Sequence, residues 1–289
     1  MSAAHRPGPL RAAILSLPLV WTLAFLLVPY LIIFTISFYT RKYPTFLPDF
    51  QFGNYLIIFE DPQYYQVLWR TAKIALVVAL LATLLSYPLA YVLVFKIRSA
   101  RLRAALYLAV IVPLWVSYLL RAYIWKTILG SEGILNSFLV TLGLLDGPSP
   151  LFLYNQFAMV VTLTYIFVPF MVMPIYTALE KIPRSLLEAS GDLGVGPLRS
   201  FLAITLPLSM PGVIAGVTFT FCLTFGDFVA PLLVGGPDGQ MIANVIASQF
   251  GATLNWPLGS ALSIVMLLVV LAVLSLSARL DRTGRVELA

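Results

Sequence analysis

The sequence predicts an all-α integral membrane protein with six transmembrane helices. Three observations carry this. Apolar residues make up 60% of the 289-residue chain and charged residues only 10%, against about 25% charged in an ordinary soluble domain. Six stretches reach the roughly 20 apolar residues needed to cross a bilayer. Lysines and arginines are also distributed unevenly between the connections that join those stretches.

The first stretch covers about residues 14–38 and follows Arg6 and Arg11. It resembles a signal peptide, but its apolar run exceeds the usual core of about 7–15 residues and no small-residue cleavage site follows, so it reads as an uncleaved anchor. The others cover about residues 74–95, 104–128, 157–179, 211–234 and 258–280. With no long repeat, low-complexity run or soluble segment, residues 1–289 are expected to form one membrane domain.

Counting basic residues sets the orientation. Twelve lie in one set of connections: Arg6, Arg11, Lys96, Arg98, Arg101, Arg103, Lys181, Arg184, Arg199, Arg279, Arg282 and Arg285. The opposite set holds five: Arg41, Lys42, Arg70, Lys73 and Lys126. Both termini are therefore expected on the cytoplasmic side. The net charge of +6 follows this topology and is no sign of nucleic-acid binding. The outer connections include residues 39–70, with Tyr43, Tyr55, Glu60, Asp61, Tyr64 and Tyr65, and residues 129–153. In the latter, Ile134, Leu135, Phe138, Leu139 and Leu142 recur at helical spacing. Gly235–Gln240 (GGPDGQ) is a turn-rich loop.

The polar interruption at about residues 181–208 differs from every other connection. Pro183 suits the first turn of a helix. Leu186, Leu187, Ala189 and Leu193 then form an apolar stripe, with Arg184, Glu188 and Asp192 on another face. Gly194 suits a left-handed cap, and Pro197 the start of a second short helix ending before Pro207.

This stretch, EASGDLGVGPLRSFLAITLP from Glu188 to Pro207, resembles the coupling loop of ABC importer permeases. That pattern is Glu-Ala-Ala, three residues, Gly, nine residues, then Ile-x-Leu-Pro. Glu188, Ala189, Gly194, Ile204, Leu206 and Pro207 match it in register. Ser190 replaces the second Ala, one small residue for another, and Asp192 lies between the matched positions. The resemblance extends to spermidine/putrescine importer permeases through Arg121–Asn136, Tyr165–Pro183, Leu186–Gly194, Leu206–Gly216, Ile242–Phe250 and the terminal VELA. It implies a type I ABC importer permease fold with a cytoplasmic coupling helix, in the bacterial inner membrane. It also implies a second permease subunit (a heterodimer), a two-copy ATPase that uses ATP and Mg, and a periplasmic substrate-binding protein. The implied cargo is a polyamine; related permeases serve complexes that carry iron, thiamine or phosphonates.

The chain itself does not read as an enzyme. His5 is its only histidine, which argues against a Ser/His/Asp site or a histidine metal site. No G-x-x-x-x-G-K-[ST] stretch is present to hold ATP phosphates, and Cys222, the only cysteine, allows no intrachain disulfide. An ATP-independent carrier is disfavoured by the coupling loop and by the lack of an acid or histidine relay or an evident inverted repeat. A structural scaffold would make no use of Gly194.

Charged groups inside spans are costly and often functional. Asp227, within FGDFVAP of the fifth span, has two open readings: a contact for a cationic substrate, or a carboxylate paired with a neighbour or capping a broken helix. Arg121 and Lys126 read as side chains reaching the interface among belt aromatics. Trp115, Tyr118, Tyr123 and Trp125 either line a path, offering ring faces to ammonium groups, or pack against lipid and protein. Glu180 is read as interfacial.

Overall fold

The computed structural model describes residues 9–286, with side chains described over 16–280. His5 and Arg6 lie outside the described residues, and Arg11, Arg282 and Arg285 outside the described side chains. Among the described residues, five helices are long and apolar enough to cross a membrane: Ser16–Ile36, Pro62–Lys96, Gln156–Glu180, Pro197–Phe225 and Trp256–Leu280. A bent pair, Ala100–Trp115 with Tyr118–Thr141, turns through 95° at its break and brings the number of crossings to six when the pair is counted as one span.

The chain divides into two packing units. One comprises the residues up to Asp61 together with Ile246–Leu267. Its first span has no buried residue between Ser16 and Ile36. A turn of π-helix at Leu23–Leu27 precedes Pro29, whose ring nitrogen cannot donate to the helix ladder. After the span, Thr40–Lys42 and Thr45–Leu47 pair as an antiparallel hairpin. Asn54 fastens its base through the carbonyls of Ser37 and Tyr39, at 2.8 and 2.9 Å.

The other unit comprises Pro62–Val245 with the residues from Leu268 onward. The fourth span is its centre, with Ala158, Met159, Leu163, Ile166, Met171, Val172, Ile175 and Leu179 all buried. Asn155 caps the start of that span by accepting from the Ala158 amide at 2.9 Å. The fifth span packs closely against it. A methyl group added at Gly212 would come 2.5 Å from the Ala178 Cβ and the Pro174 carbonyl oxygen.

Three expectations are corrected. The second span begins at Pro62 rather than near 74. Its polar first turns are held in place, since Arg70 donates to the Gln240 carbonyl at 2.7 Å and the Thr71 hydroxyl accepts from the Ile242 amide at 2.9 Å. The third span, expected as one helix over 104–128, breaks at Val116–Ser117. There Pro113 sits in a 3-10 turn, Val112–Trp115, that cannot continue as α-helix. The fifth span, expected to reach 234, ends at Phe225. Gly226 and Asp227 interrupt it, and a turn of π-helix follows at Pro231–Gly235. The helix expected in residues 129–153 is present as Ile134–Thr141, with Leu135 packed against the core and Ile134 and Phe138 exposed.

Candidate functional site

The Glu188–Pro207 stretch folds as a helix, a glycine turn and a second helix. The first helix is Arg184–Asp192. Pro183 occupies the flanking position with extended backbone (ψ 130°) rather than the first turn itself. Leu193 closes the helix and Gly194 adopts φ +73°. The Val195 amide donates to the Ser190 carbonyl at 3.0 Å and the Gly194 amide to the Gly191 carbonyl at 2.9 Å. These two bonds form a Schellman closure, which needs a left-handed residue at Gly194, where a side chain is strained.

The second helix starts at Pro197 as expected but does not end before Pro207. It passes through a turn of π-helix, Phe201–Thr205, and continues as Leu206–Phe225. The i→i+5 bond from the Leu206 amide to the Phe201 carbonyl spares the ladder a donor that Pro207 cannot supply. Ile204, Leu206 and Pro207 therefore belong to the root of the fifth span.

The outer surface of this stretch is open. Leu193 is 82% exposed, Leu198 and Leu202 are exposed in large part, and Leu186 is exposed over nearly half its surface. Ser190 is the residue that turns inward and is buried. Ala189, Glu188 and Asp192 are exposed, and a side chain added at Gly191 or Gly194 would meet nothing within 4 Å. The helix thus presents leucines and carboxylates outward on a surface that this chain leaves uncovered.

Two contacts fasten the stretch to the second span. Arg184 Nη2 donates to the Val94 carbonyl at 3.1 Å. The Phe201 ring stands edge-on to Tyr87 and Tyr91, with centroids 5.7 and 5.8 Å away, and the Tyr87 and Ser209 hydroxyls bond at 2.8 Å. Beside the Arg184–Asp192 helix, a cleft of about 850 Å³ lies between the fourth and fifth spans, lined by Met173, Pro174, Leu208, Pro211 and Gly212 together with Lys181 and Leu186. Asp227 is not on its lining.

Asp227 sits at the break in the fifth span and is 8% exposed. Its Oδ1 accepts from the Ala230 amide at 2.9 Å, restarting a helical turn after the break, and its Oδ2 accepts from the Tyr118 hydroxyl. Tyr118 is the first residue of the helix after the bend in the third span. Arg121, one turn on, is 6% exposed, so it does not reach the interface. Its Nη1 donates to the Ile166 carbonyl at 3.3 Å, and its guanidinium lies 5.8 Å from the Tyr118 ring. The cause is the bend, which turns this face of the helix onto the fourth span. Lys126 is only partly buried and lies over the Tyr123 and Tyr154 rings at 5.9 and 5.8 Å.

The remaining aromatic candidates have other neighbours. Trp125 stacks obliquely on Tyr165 at 5.3 Å and lines a second, apolar cleft of about 580 Å³. Trp115 is 84% exposed on the 3-10 turn, and Tyr123 is exposed. No sequence pattern marks Arg184 and Phe201 as ties to the second span, or Tyr118 as the partner of Asp227. The one local signal was that a buried carboxylate must find donors.

A bundle of apolar spans with an exposed helix–glycine–helix insertion between the fourth and fifth is the architecture of a multi-pass membrane protein. Residues 82–285 match the family described as binding-protein-dependent transport system inner membrane component, and the chain belongs to that family. Curated relatives cover most of its length. The spermidine/putrescine transport system permease protein PotB of Escherichia coli K12 is 38% identical over 250 residues, which is 86% of this chain and 90% of that protein. PotB of Haemophilus influenzae is 37% identical over 245 residues, 84% of each. The inner membrane ABC transporter permease protein YdcU of E. coli K12 is 35% identical over 289 residues, 96% of this chain and 91% of that protein.

Among solved structures, a chain of a bacterial alginate ABC transporter in complex with alginate pentasaccharide-bound periplasmic protein superposes with a TM-score of 0.79 at 17% identity, covering 95% of this chain and 94% of its own. A chain of the inward-facing MetNI methionine ABC transporter gives 0.57 at 19% identity, covering 78% and 98%. The fold is that of type I ABC importer permeases.

Proposed function

We propose that this chain is the membrane-spanning permease subunit of an ATP-driven importer of polyamines, spermidine and putrescine. The observation that carries the substrate is identity of 37–38% to the two PotB permeases, sustained over at least 84% of each chain.

On this reading the chain pairs with a second permease subunit as a heterodimer. A periplasmic binding protein delivers the polyamine, and a two-copy ATPase that consumes ATP and Mg drives the cycle. The chain performs no bond chemistry itself. Glu188, Ala189, Ser190, Asp192 and Gly194 form the coupling helix and its turn, while Ile204, Leu206 and Pro207 root it in the fifth span. Its exposed leucines and carboxylates offer a surface for the ATPase. A push on that helix reaches the second span through Arg184 and Phe201. Both termini and the 181–208 loop face the cytoplasm of the bacterial inner membrane, as the basic-residue count implies. Asp227 is the carboxylate that meets a substrate ammonium, with Trp115, Tyr123 and Trp125 as aromatic candidates along the path.

The test is uptake of radiolabelled putrescine and spermidine in cells carrying the complete transporter, with and without this chain, each unlabelled candidate solute serving as competitor. Loss of polyamine uptake on deletion is the expected result. Unchanged polyamine uptake with loss of another solute's import would overturn the substrate and keep the importer.

A further inference from the structure

The third and fifth spans are both broken, and the two breaks meet. The third bends through 95° at Val116–Ser117, and Tyr118 is the first residue beyond it. The fifth stops at Phe225, with Asp227 two residues beyond. The Tyr118 hydroxyl donates to Asp227 Oδ2, while Oδ1 is taken up by the Ala230 amide. Each carboxylate oxygen therefore already has a donor. Arg121 brings a buried positive charge over the Tyr118 ring, 5.8 Å from its centroid, and its Nε has no hydrogen-bond partner among the described residues.

We infer that Tyr118 is a positioning residue that competes with the cargo for Asp227 and so latches the two breaks together until a cargo ammonium takes its place. The inference rests on the polyamine reading and on Asp227 as a cargo contact. A carboxylate accepts more strongly from a cation than from a neutral hydroxyl, so an ammonium can displace Tyr118 where a neutral solute cannot. The Ala230 amide is free to stay in place, because it binds the other oxygen. What displacement releases is the tie between two interrupted helices, where a span can hinge at little cost in lost helix bonds. The nearby Arg121 guanidinium disfavours an ammonium next to Tyr118, so the cargo is met with Asp227 drawn away from the ring.

The experiment uses the whole complex, reconstituted in proteoliposomes with its binding protein, and compares Tyr118→Phe, Tyr118→His and Asp227→Asn. ATP hydrolysis without polyamine and spermidine uptake are read separately. Removing the hydroxyl frees the latch, so Tyr118→Phe is expected to raise cargo-independent hydrolysis about threefold or more while uptake continues, one charge-assisted hydrogen bond being sufficient for a change of that size. Tyr118→His keeps a ring N–H to donate and is expected to return hydrolysis toward the wild-type level. Asp227→Asn keeps an acceptor but loses the charge, and is expected to lose at least tenfold in uptake.

Unchanged basal hydrolysis in Tyr118→Phe would overturn the latch, whatever Asp227→Asn does. Normal uptake by Asp227→Asn would remove Asp227 as a cargo contact and overturn the competition, even with a raised basal rate in Tyr118→Phe. A complex that assembles with Tyr118→His but not with Tyr118→Phe would give the hydroxyl a folding role and equally overturn the inference.

Discussion

Arg184 Nη2 donates to the carbonyl oxygen of Val94 at 3.1 Å, fastening the first residue of the Arg184–Asp192 helix to the last turn of the second span. On the opposite side of the glycine turn, Phe201 packs edge-on against Tyr87 and Tyr91 of that same span. The exposed helix thus hangs between two attachments to one long helix, and neither attachment involves the residues on its open surface.

Arg184→Ala is expected to lower cargo-stimulated ATP hydrolysis severalfold with little change in membrane level. The lost bond is at an exposed side chain, where one hydrogen bond contributes about 1 kcal/mol or less to stability. Hydrolysis and transport assays on the purified complex check this, with normal stimulation as the contrary result.

Gly212→Ala is expected to reduce assembly or thermal stability, and Gly191→Ala to leave both unchanged. The added methyl group meets the backbone of Pro174 and the side chain of Ala178 in the first case and open space in the second. Overpacking of this kind costs about 1–3 kcal/mol. Thermal denaturation in detergent separates the two variants.

Asn136→Ala is expected to loosen the loop after the bent span. The Asn136 amide is buried, donates to the carbonyls of Gly130 and Ser149 at 2.8 and 3.0 Å, and accepts from the Ser149 amide at 2.9 Å. Losing it leaves buried partners unsatisfied, at about 1–3 kcal/mol. Faster proteolysis or amide exchange in residues 130–150 is the readout.

Much of this architecture is legible in the residues themselves. The fourth span, Gln156–Glu180, falls within one residue of the expected 157–179, because a long uniform apolar run leaves the chain one solution in lipid. Gly194 is legible for the same local reason: a helix that stops between polar residues and then resumes needs a left-handed closure. The third span is not, since its apolar run is long enough for a straight crossing and the bend depends on what packs beyond Pro113. The polar start of the second span is hidden because Gln63, Arg70 and Lys73 read as loop until Gln240 and Ile242 are seen to satisfy it. The apolar stripe on Arg184–Asp192 was visible, but sequence periodicity does not say whether its partner belongs to the same chain. Tyr118, Arg121 and Asp227 are brought together by two helix breaks more than 100 residues apart in the chain, which no local pattern records.

The most direct measurement is ATP-driven spermidine uptake into proteoliposomes holding the complete complex, with this chain as wild type and as Gly194→Val. Gly194 has φ +73° and open space around it, so valine acts through the turn, at roughly 1–3 kcal/mol of backbone strain, and not through a clash. Uptake is expected with the wild type, and loss of cargo-stimulated uptake with Gly194→Val at normal subunit content. Full uptake by Gly194→Val would contradict the coupling assignment, and no spermidine uptake by the wild type, with ATP hydrolysed, would contradict the polyamine importer.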